Sequence, residues 1–478
     1  MIDKKKILQE TGQIIIWFAL SVIFVYIEPF NLFKHFFFLI PLVLFAISKK
    51  DYFWIAFFFV LINAPAYFFA VKNQDAAFAL PFYGAGGFSF TIFDFFLFIG
   101  FYKVFKNKYR KKLILNRPLI VFGLYFLIIS IPISLVLGTS LQIFMNLLRT
   151  IVYYFLVVII LNLFGEKESF IKFGYLLLPF LILALVDQVL YLSFGERIIY
   201  LFDVSRKYEV FNSITGTNRG ITTGVLMIFF LLIFGLQIYA NPEYSISKNL
   251  GLYIAVLASS SFFLSATRSW IIIALTVLGI VVVFSKKSAS IIFKMGITLS
   301  IILLIALSTN IIQWKMIDDV LVRMNVLSAV VSGETNKVDT YKDRLDNDIP
   351  KVKRGINQSP IFGVGLSKVY KQSYSNDVGY LNTILLWGYL GFLLFLFYIF
   401  IIIYKSYILL KGGVDKNTRN ILIPLIGGII AMLVGYLFTW DFFSFYPHKI
   451  FFVSLIFAYL EILYQDNKLG NVPINSAS

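Results

Sequence analysis

No cysteine occurs in the chain and only two histidines do, His35 and His448. Thiolate chemistry is therefore excluded, and a histidine-built metal centre lacks ligands. What remains for chemistry is a set of arginines. Arg149, Arg219 and Arg268 stand at the edges of apolar runs, and Arg344 and Arg354 stand in one long hydrophilic stretch. A planar guanidinium presents paired N–H donors that match two oxygens of a phosphate. Each arginine could also be an interfacial anchor or the partner of an acid such as Glu209 or Asp441. Arg268 is the exception in kind. It sits in Ser265-Ala266-Thr267-Arg268-Ser269-Trp270, pinned between two apolar runs with no room to snorkel.

Candidate bases are few. Asp377 lies in Ser375-Asn376-Asp377-Val378-Gly379-Tyr380, and His448 and Asp441 lie near the last apolar run. Asp346-Asn347-Asp348 has the spacing some glycosyltransferases use for a metal, but such tripeptides are common in hydrophilic loops, and no metal is expected here. Asp94 and Asp187 fall inside apolar runs, where carboxylates face a bundle interior and mark function or a polar pair. In Arg354-Gly355-Ile356-Asn357-Gln358-Ser359-Pro360-Ile361-Phe362-Gly363-Val364-Gly365, the glycines Gly363 and Gly365 permit a sharp turn or a close backbone approach. It is not a dinucleotide fingerprint, because Lys368 stands where the third glycine would be. No Gly-Lys-Ser/Thr phosphate loop exists, so ATP is not expected as an energy source, and no cofactor is expected.

The elements that must position these groups are membrane helices. Hydrophobic residues make up 59% of the 478 and charged ones 14%, against roughly 25% charged in ordinary globular proteins. Mean hydropathy is +0.84. A water-soluble fold cannot bury that much apolar side chain. The expected fold is an all-α polytopic integral membrane protein of about 12–14 transmembrane helices. The spans are read at 12–28, 30–48, 52–71, 87–104, 118–138, 146–164, 171–193, 221–239, 249–266, 269–285, 290–309, 379–404, 419–438 and 449–464.

Net charge is +17. In a chain of this kind it reads as topology, not nucleic-acid binding, because Lys and Arg collect in cytoplasmic loops. Starting from the Met1-Ile2-Asp3-Lys4-Lys5-Lys6 end inside, alternate loops are basic, among them 103–117 and 405–419. The loops between are nearly free of Lys. Both termini are expected in the cytoplasm, with the N-terminal run an uncleaved anchor. Residues 310–378 form one large outer loop between the eleventh and twelfth spans. The start of this loop, from Ile317 to Val331, has the spacing of an amphipathic helix.

These motifs resemble the bacterial O-antigen polymerase and ligase superfamily, with Wzy-type polymerases closest. The architecture is similar over the whole chain, and the motifs over about 150–385. Ser265-Ala266-Thr267-Arg268-Ser269 is similar to the family's Ser-x-Ser-Arg turn, with Thr267 in place of the second Ser. Arg354 to Gly365 matches the polymerases' Arg, ten residues, Gly pattern. Ile361-Phe362-Gly363-Val364-Gly365-Leu366 resembles a Phe-Gly-x-Gly segment of both branches. Asp377-x-Gly379-Tyr380-Leu381 and Gly388-Tyr389-Leu390-Gly391 resemble the polymerase loop exit. Ligases have a His-Asn pair there; this chain has Asn376-Asp377.

The resemblance implies polymerisation of undecaprenyl-diphosphate-linked oligosaccharide repeat units on the periplasmic face of the inner membrane, without metal or ATP. The implied partners are the lipid-linked glycan donor and acceptor, membrane lipid and a chain-length-regulating co-polymerase. In that chemistry Arg268 and Arg354 stabilise the leaving diphosphate. Asp377, or else His448, takes the acceptor proton. Arg149, Arg219, Arg344, Gly363, Gly365 and Tyr380 line the substrate. The alternatives are an O-antigen ligase and a lipid-linked oligosaccharide flippase or other transporter.

Overall fold

The computed structural model describes residues 4–26, 33–63, 81–85, 88–107, 121, 123–140, 152–194, 222, 224–241, 249–265, 267–284, 293–297, 300, 344–375, 378–412, 414–437 and 447–470. Long apolar runs with few breakers become helices, because a helix satisfies every backbone N–H and C=O within its own segment. The first helices are α1 (Lys4–Tyr26), α2 (Phe33–Ile47) and α3 (Asp51–Asn63). A small antiparallel hairpin follows, β1 (Pro81–Ala85) with β2 (Phe88–Thr91). Then come α4 (Ile92–Lys106), a π-turn (Phe126–Ser130) running into α5 (Ile131–Val136), α6 (Leu156–Phe164) and α7 (Lys167–Phe194). The middle of the chain forms α8 (Val225–Ala240), α9 (Leu250–Leu264) and α10 (Arg268–Phe284). A second π-turn (Arg344–Asp348) leads into α11 (Ile349–Ile356), followed by α12 (Lys368–Ser373), α13 (Gly379–Lys411), α14 (Lys416–Gly435) and α15 (Pro447–Gly470).

This is an all-α membrane protein, with one minor hairpin among the described residues. Among the described residues, Lys167–Leu192, Gly379–Lys411, Lys416–Gly435 and His448–Asn467 are long and apolar enough to cross a membrane, and seven shorter apolar helices accompany them. Among the described residues the long apolar helices overlap the spans that hydropathy places, with one difference. The span expected at 87–104 opens as strand and turns helical only at Ile92. Most of 290–309 lies outside the described residues, as does 310–343 with its expected amphipathic helix.

The core is organised around α8, which is buried without interruption from Leu226 to Ile238. It crosses α9 at two glycines. A Cβ on Gly235 would come within 2.6 Å of the Ala255 nitrogen, and one on Gly251 would collide with the Tyr239 nitrogen. Small residues at a crossing let two backbones touch, which gives membrane helices dispersion contacts in place of a hydrophobic driving force. Aromatic pairs fill the rest, such as Phe170 stacked on Tyr459 at 4.1 Å between α7 and α15. One polar clamp ties α7 to α9. The Ser261 hydroxyl donates to Gln188 Oε1 at 2.6 Å, and Gln188 Nε2 donates to the Ser261 carbonyl at 3.2 Å.

The helix α13 is not straight. Gly388 breaks it, at φ 66° and ψ −179°. Tyr380 and Phe392 would stand about 18 Å apart along a straight helix at 1.5 Å per residue, yet their ring centroids are 6.0 Å apart. The half-helix before the break is therefore bent at Gly388, and it meets the last turn of α14. The Tyr380 hydroxyl donates to the Leu433 carbonyl at 2.8 Å, and the Thr383 and Tyr436 hydroxyls lie 2.7 Å apart.

Candidate functional site

A break inside an apolar helix frees carbonyls on one side and N–H groups on the other, and in a membrane each must find a partner. Here the partner is the irregular strap Pro360–Leu366. The N–H of Val364 donates to the Leu385 carbonyl at 2.8 Å, and that of Gly365 to the Leu386 carbonyl at 3.0 Å. On the far side of the break, Tyr389 donates to the Pro360 carbonyl at 2.9 Å and Leu390 to the Ile361 carbonyl at 3.1 Å. The Tyr125 hydroxyl donates to the Trp387 carbonyl and reaches the Phe362 carbonyl at 3.2 Å.

Glycine is required at the contact. Gly363 and Gly388 both have positive φ, and a Cβ on either would strike the other's backbone nitrogen. Gly365, at φ 57°, abuts Ser134 and the Ser130 carbonyl. The Ser134 hydroxyl donates to the Ser130 carbonyl at 2.5 Å and accepts the Leu366 N–H at 3.0 Å. Thr139 and the Gly138 carbonyl then hold Leu366 and Lys368, each at 3.0 Å. The strap is thus clamped between the broken α13 and the end of α5. Its two glycines approach the protein's own backbone.

Upstream of the strap, α11 carries Arg354. Its buried face is Val352, Gly355 and Ile356, and Gly355 packs against Leu385 and Ser373. With that face fixed, Lys351, Lys353 and Arg354 are exposed, and so are Lys368 and Lys371 on α12. No acidic residue occurs between Ile349 and Ser375. Arg344 is half-buried in the π-turn that precedes α11, and Asp346 beside it is exposed. Beyond α12, the side chain of Asn382 holds Ser375 by both its amide oxygen, 3.2 Å from the Ser375 nitrogen, and its amide nitrogen. That clamp fixes the two ends of the segment containing Asp377, which itself lies outside the described residues.

The other candidates distribute as follows. Tyr380 starts α13, with its ring 5.0 Å from Tyr436 and its hydroxyl on the Leu433 carbonyl. His448 is half-buried in the first turn of α15. Arg268 opens α10 while its side chain lies outside the described residues, as do Arg149 and Arg219. The turn before Arg268 is built by hydroxyls. Ser265 Oγ accepts the Thr267 N–H at 3.3 Å, Thr267 Oγ1 donates to the Ser265 carbonyl at 3.1 Å, and the Thr267 carbonyl accepts from Trp270 and Ile271. Trp270 stacks on Phe262 at 5.8 Å across the turn. Arg344 and Arg354 thus lie on the π-turn and helix that lead into the strap holding Gly363 and Gly365, while Tyr380 lies on the half-helix before the break, against α14.

Two contributors carry no clear mark in the sequence. Tyr125 and Ser134 sit in an ordinary apolar run, and their partners are more than two hundred residues away.

No protein-family model and no curated protein matches the chain. Among solved structures it is similar to one described as "Structural coordination of polymerization and crosslinking by a peptidoglycan synthase complex". Sequence identity is 14% and the TM-score 0.39, over 72% of this chain and 97% of that one. A likeness of that size carries no argument about activity, which must rest on the residues.

Proposed function

We propose that the protein is a membrane glycan polymerase of the O-antigen polymerase type, lengthening polyprenyl-diphosphate-linked oligosaccharides. The observation that carries the reading is the unit from Arg354 to Gly365. Its glycine end is locked into the break of α13. Its arginine end stands exposed on α11 in a stretch free of acidic residues. An immobile, cation-bearing platform beside a membrane helix suits the diphosphate of a lipid-linked donor.

In this mechanism a hydroxyl of the acceptor unit attacks the anomeric carbon of the donor glycan. The new glycosidic C–O bond forms as the bond to the diphosphate oxygen breaks. Asp377, with His448 as the alternative, receives the hydroxyl proton. Arg268 and Arg354 neutralise the departing diphosphate, and Arg149, Arg219 and Arg344 extend the anionic site. Gly363, Gly365 and Tyr380 shape it. By the positive-inside alternation this occurs on the periplasmic side, on a growing undecaprenyl diphosphate chain.

A transporter reading has one feature in its favour, since broken helices mark substrate sites in many transporters. In those proteins the freed backbone groups face the substrate, whereas the freed groups at Gly388 bond to the strap and Tyr125.

The deciding experiment gives purified protein lipid-linked repeat units alone, with EDTA and without ATP. Elongation to a ladder is expected, and Arg354→Lys should slow it about ten- to a hundredfold, as loss of a charge-assisted bond of roughly 1.5–3 kcal/mol implies. Transfer onto lipid A core with no lengthening would identify a ligase. Translocation across vesicles with no lengthening would identify a transporter.

A further inference from the structure

We infer that the membrane ends at the Gly388 break, and that the strap lies in the interfacial layer of the adjacent leaflet, where its flanking lysines bind anionic phospholipid headgroups.

At 33 residues, α13 is far longer than the ~30 Å hydrocarbon core requires. Side-chain exposure shows which part faces lipid. From Asn382 to Gly388 every residue is buried. Exposure begins at Tyr389 and continues as a stripe through Leu393, Phe397, Phe400, Tyr404 and Tyr407. Tyrosines at both ends of an apolar stripe are the pattern of interfacial belts. The piece after the break covers about 33 Å at 1.5 Å per residue, so it crosses the bilayer unaided.

The neighbouring helices mark the same level. Tyr398 meets Phe457 with centroids 5.8 Å apart, and Lys405 lies over the Tyr464 ring at 5.4 Å. Both pairs keep the same offset, so α13 and α15 run parallel and in step. Extrapolated along that register, the start of α15 at Pro447–His448 is level with Gly388–Tyr389. The last turn of α14 ends there too, against Tyr380 and Thr383.

The strap is bonded to α13 at this level. Ile361 is 59% exposed and Phe362 41%. Two exposed apolar side chains continuous with a lipid-facing stripe belong in the upper acyl region. Lys353, Lys368 and Lys371 stand exposed on the two short helices next to the strap, with no acid between Ile349 and Ser375. Cations above an inserted apolar wedge recognise the phosphate of an anionic lipid headgroup.

Because the chain has no cysteine, one introduced thiol carries a unique fluorophore. Ile361→Cys, bimane-labelled, is reconstituted in phosphatidylcholine vesicles containing phosphatidylglycerol. Lipids brominated high on the acyl chain should quench it more strongly than aqueous iodide. At equal mole fraction, brominated phosphatidylglycerol should quench at least twofold more than brominated phosphatidylcholine. K353Q/K368Q/K371Q should abolish that preference while leaving acyl quenching intact. Phe362→Cys repeats the measurement if Ile361→Cys is not monodisperse. Quenching by iodide alone would overturn the placement of the strap. Equal quenching by the two brominated lipids in the unsubstituted lysine background would overturn the headgroup site. No glycan substrate enters the measurement, so its failure leaves the polymerase reading untouched.

Discussion

The strap junction and the α8–α9 crossing both depend on glycine, for different physical reasons. At the crossing, Gly235 and Gly251 sit inside regular helices and serve only by lacking a side chain, which lets two backbones touch. At the junction, Gly363, Gly365 and Gly388 lack a side chain and also hold a positive φ. A Cβ there meets steric conflict with its own chain as well as with its neighbour. The crossing is a packing seam that can open slightly under strain. The junction is a set of backbone hydrogen bonds in which Val364 and Gly365 cannot retreat without leaving the carbonyls of the buried Leu385 and Leu386 unsatisfied.

Substitutions can break that contrast. Gly388→Val should have the largest effect, because it adds a β-branched side chain at positive φ against the Ile361 carbonyl. A cost of about 4 kcal/mol or more is expected from strain and overpacking together. Loss of the monodisperse peak in detergent would register it. Gly363→Ala and Gly388→Ala should each cost about 2–3 kcal/mol. Combined, they should cost clearly less than their sum, since both fill the same gap; additive shifts in thermal midpoint would disprove the shared contact.

Gly251→Ala should cost about 1–3 kcal/mol by overpacking alone, and Gly235→Ala no more than that. Gly428→Ala, whose Cβ would meet only the flexible end of Ile233, should change stability little. Tyr125→Phe keeps the ring against Gly391 and removes only the hydroxyl. A loss of about 0.5–1.5 kcal/mol is expected, seen as a lower midpoint and faster hydrogen exchange at Trp387–Leu390.

A modest effect is expected at the opposite end of α13, where Asp415 caps α14 by accepting from the N–H groups of Asn417 and Thr418 at 3.1 Å. Burial pushes this carboxyl up, but those N–H groups, the Thr418 hydroxyl and Lys167 outweigh it and hold it below its usual range. Asp415→Ala should cost about 1 kcal/mol. Because the folded carboxyl is the more acidic, its contribution is present at neutral pH and fades as pH falls through the lowered value. Wild type and variant should converge in acid; equal midpoints at neutral pH would remove the cap.

Among the described residues, hydropathy is enough to place the long helices, because a spanning segment must be apolar throughout. It could not reveal Gly388, since the break is satisfied from outside the helix and the run stays apolar across it. Gly363 and Gly365 announced a close approach, but not that the partner was the chain itself. Tyr125 gave no signal, being one of 28 tyrosines in an aromatic-rich sequence. The hairpin did leave one. Phe88-Ser89-Phe90-Thr91 alternates with period two after a glycine-rich stretch, a strand pattern that the longer apolar run following it masks in a hydropathy reading. At the candidate site, the motif residues were legible as types, while the clamp that orders them was not, because its members are distant in sequence.

The order of synthesis gives the strap a further significance. Tyr125 and Ser134 enter the membrane long before their partners exist, 237 residues ahead of Phe362 in one case and 232 ahead of Leu366 in the other. Ser134 can wait, because its hydroxyl bonds to Ser130 within its own helix. Tyr125 has no such local bond to fall back on among those seen in the folded protein. The strap then leaves the ribosome ahead of α13, so the helix that must break emerges to find its splint already made. Moving residues 360–367 to the C-terminal end of the chain would reverse that order. An apolar helix would then be inserted unbroken, and its later opening would have to be driven against every hydrogen bond it had already closed.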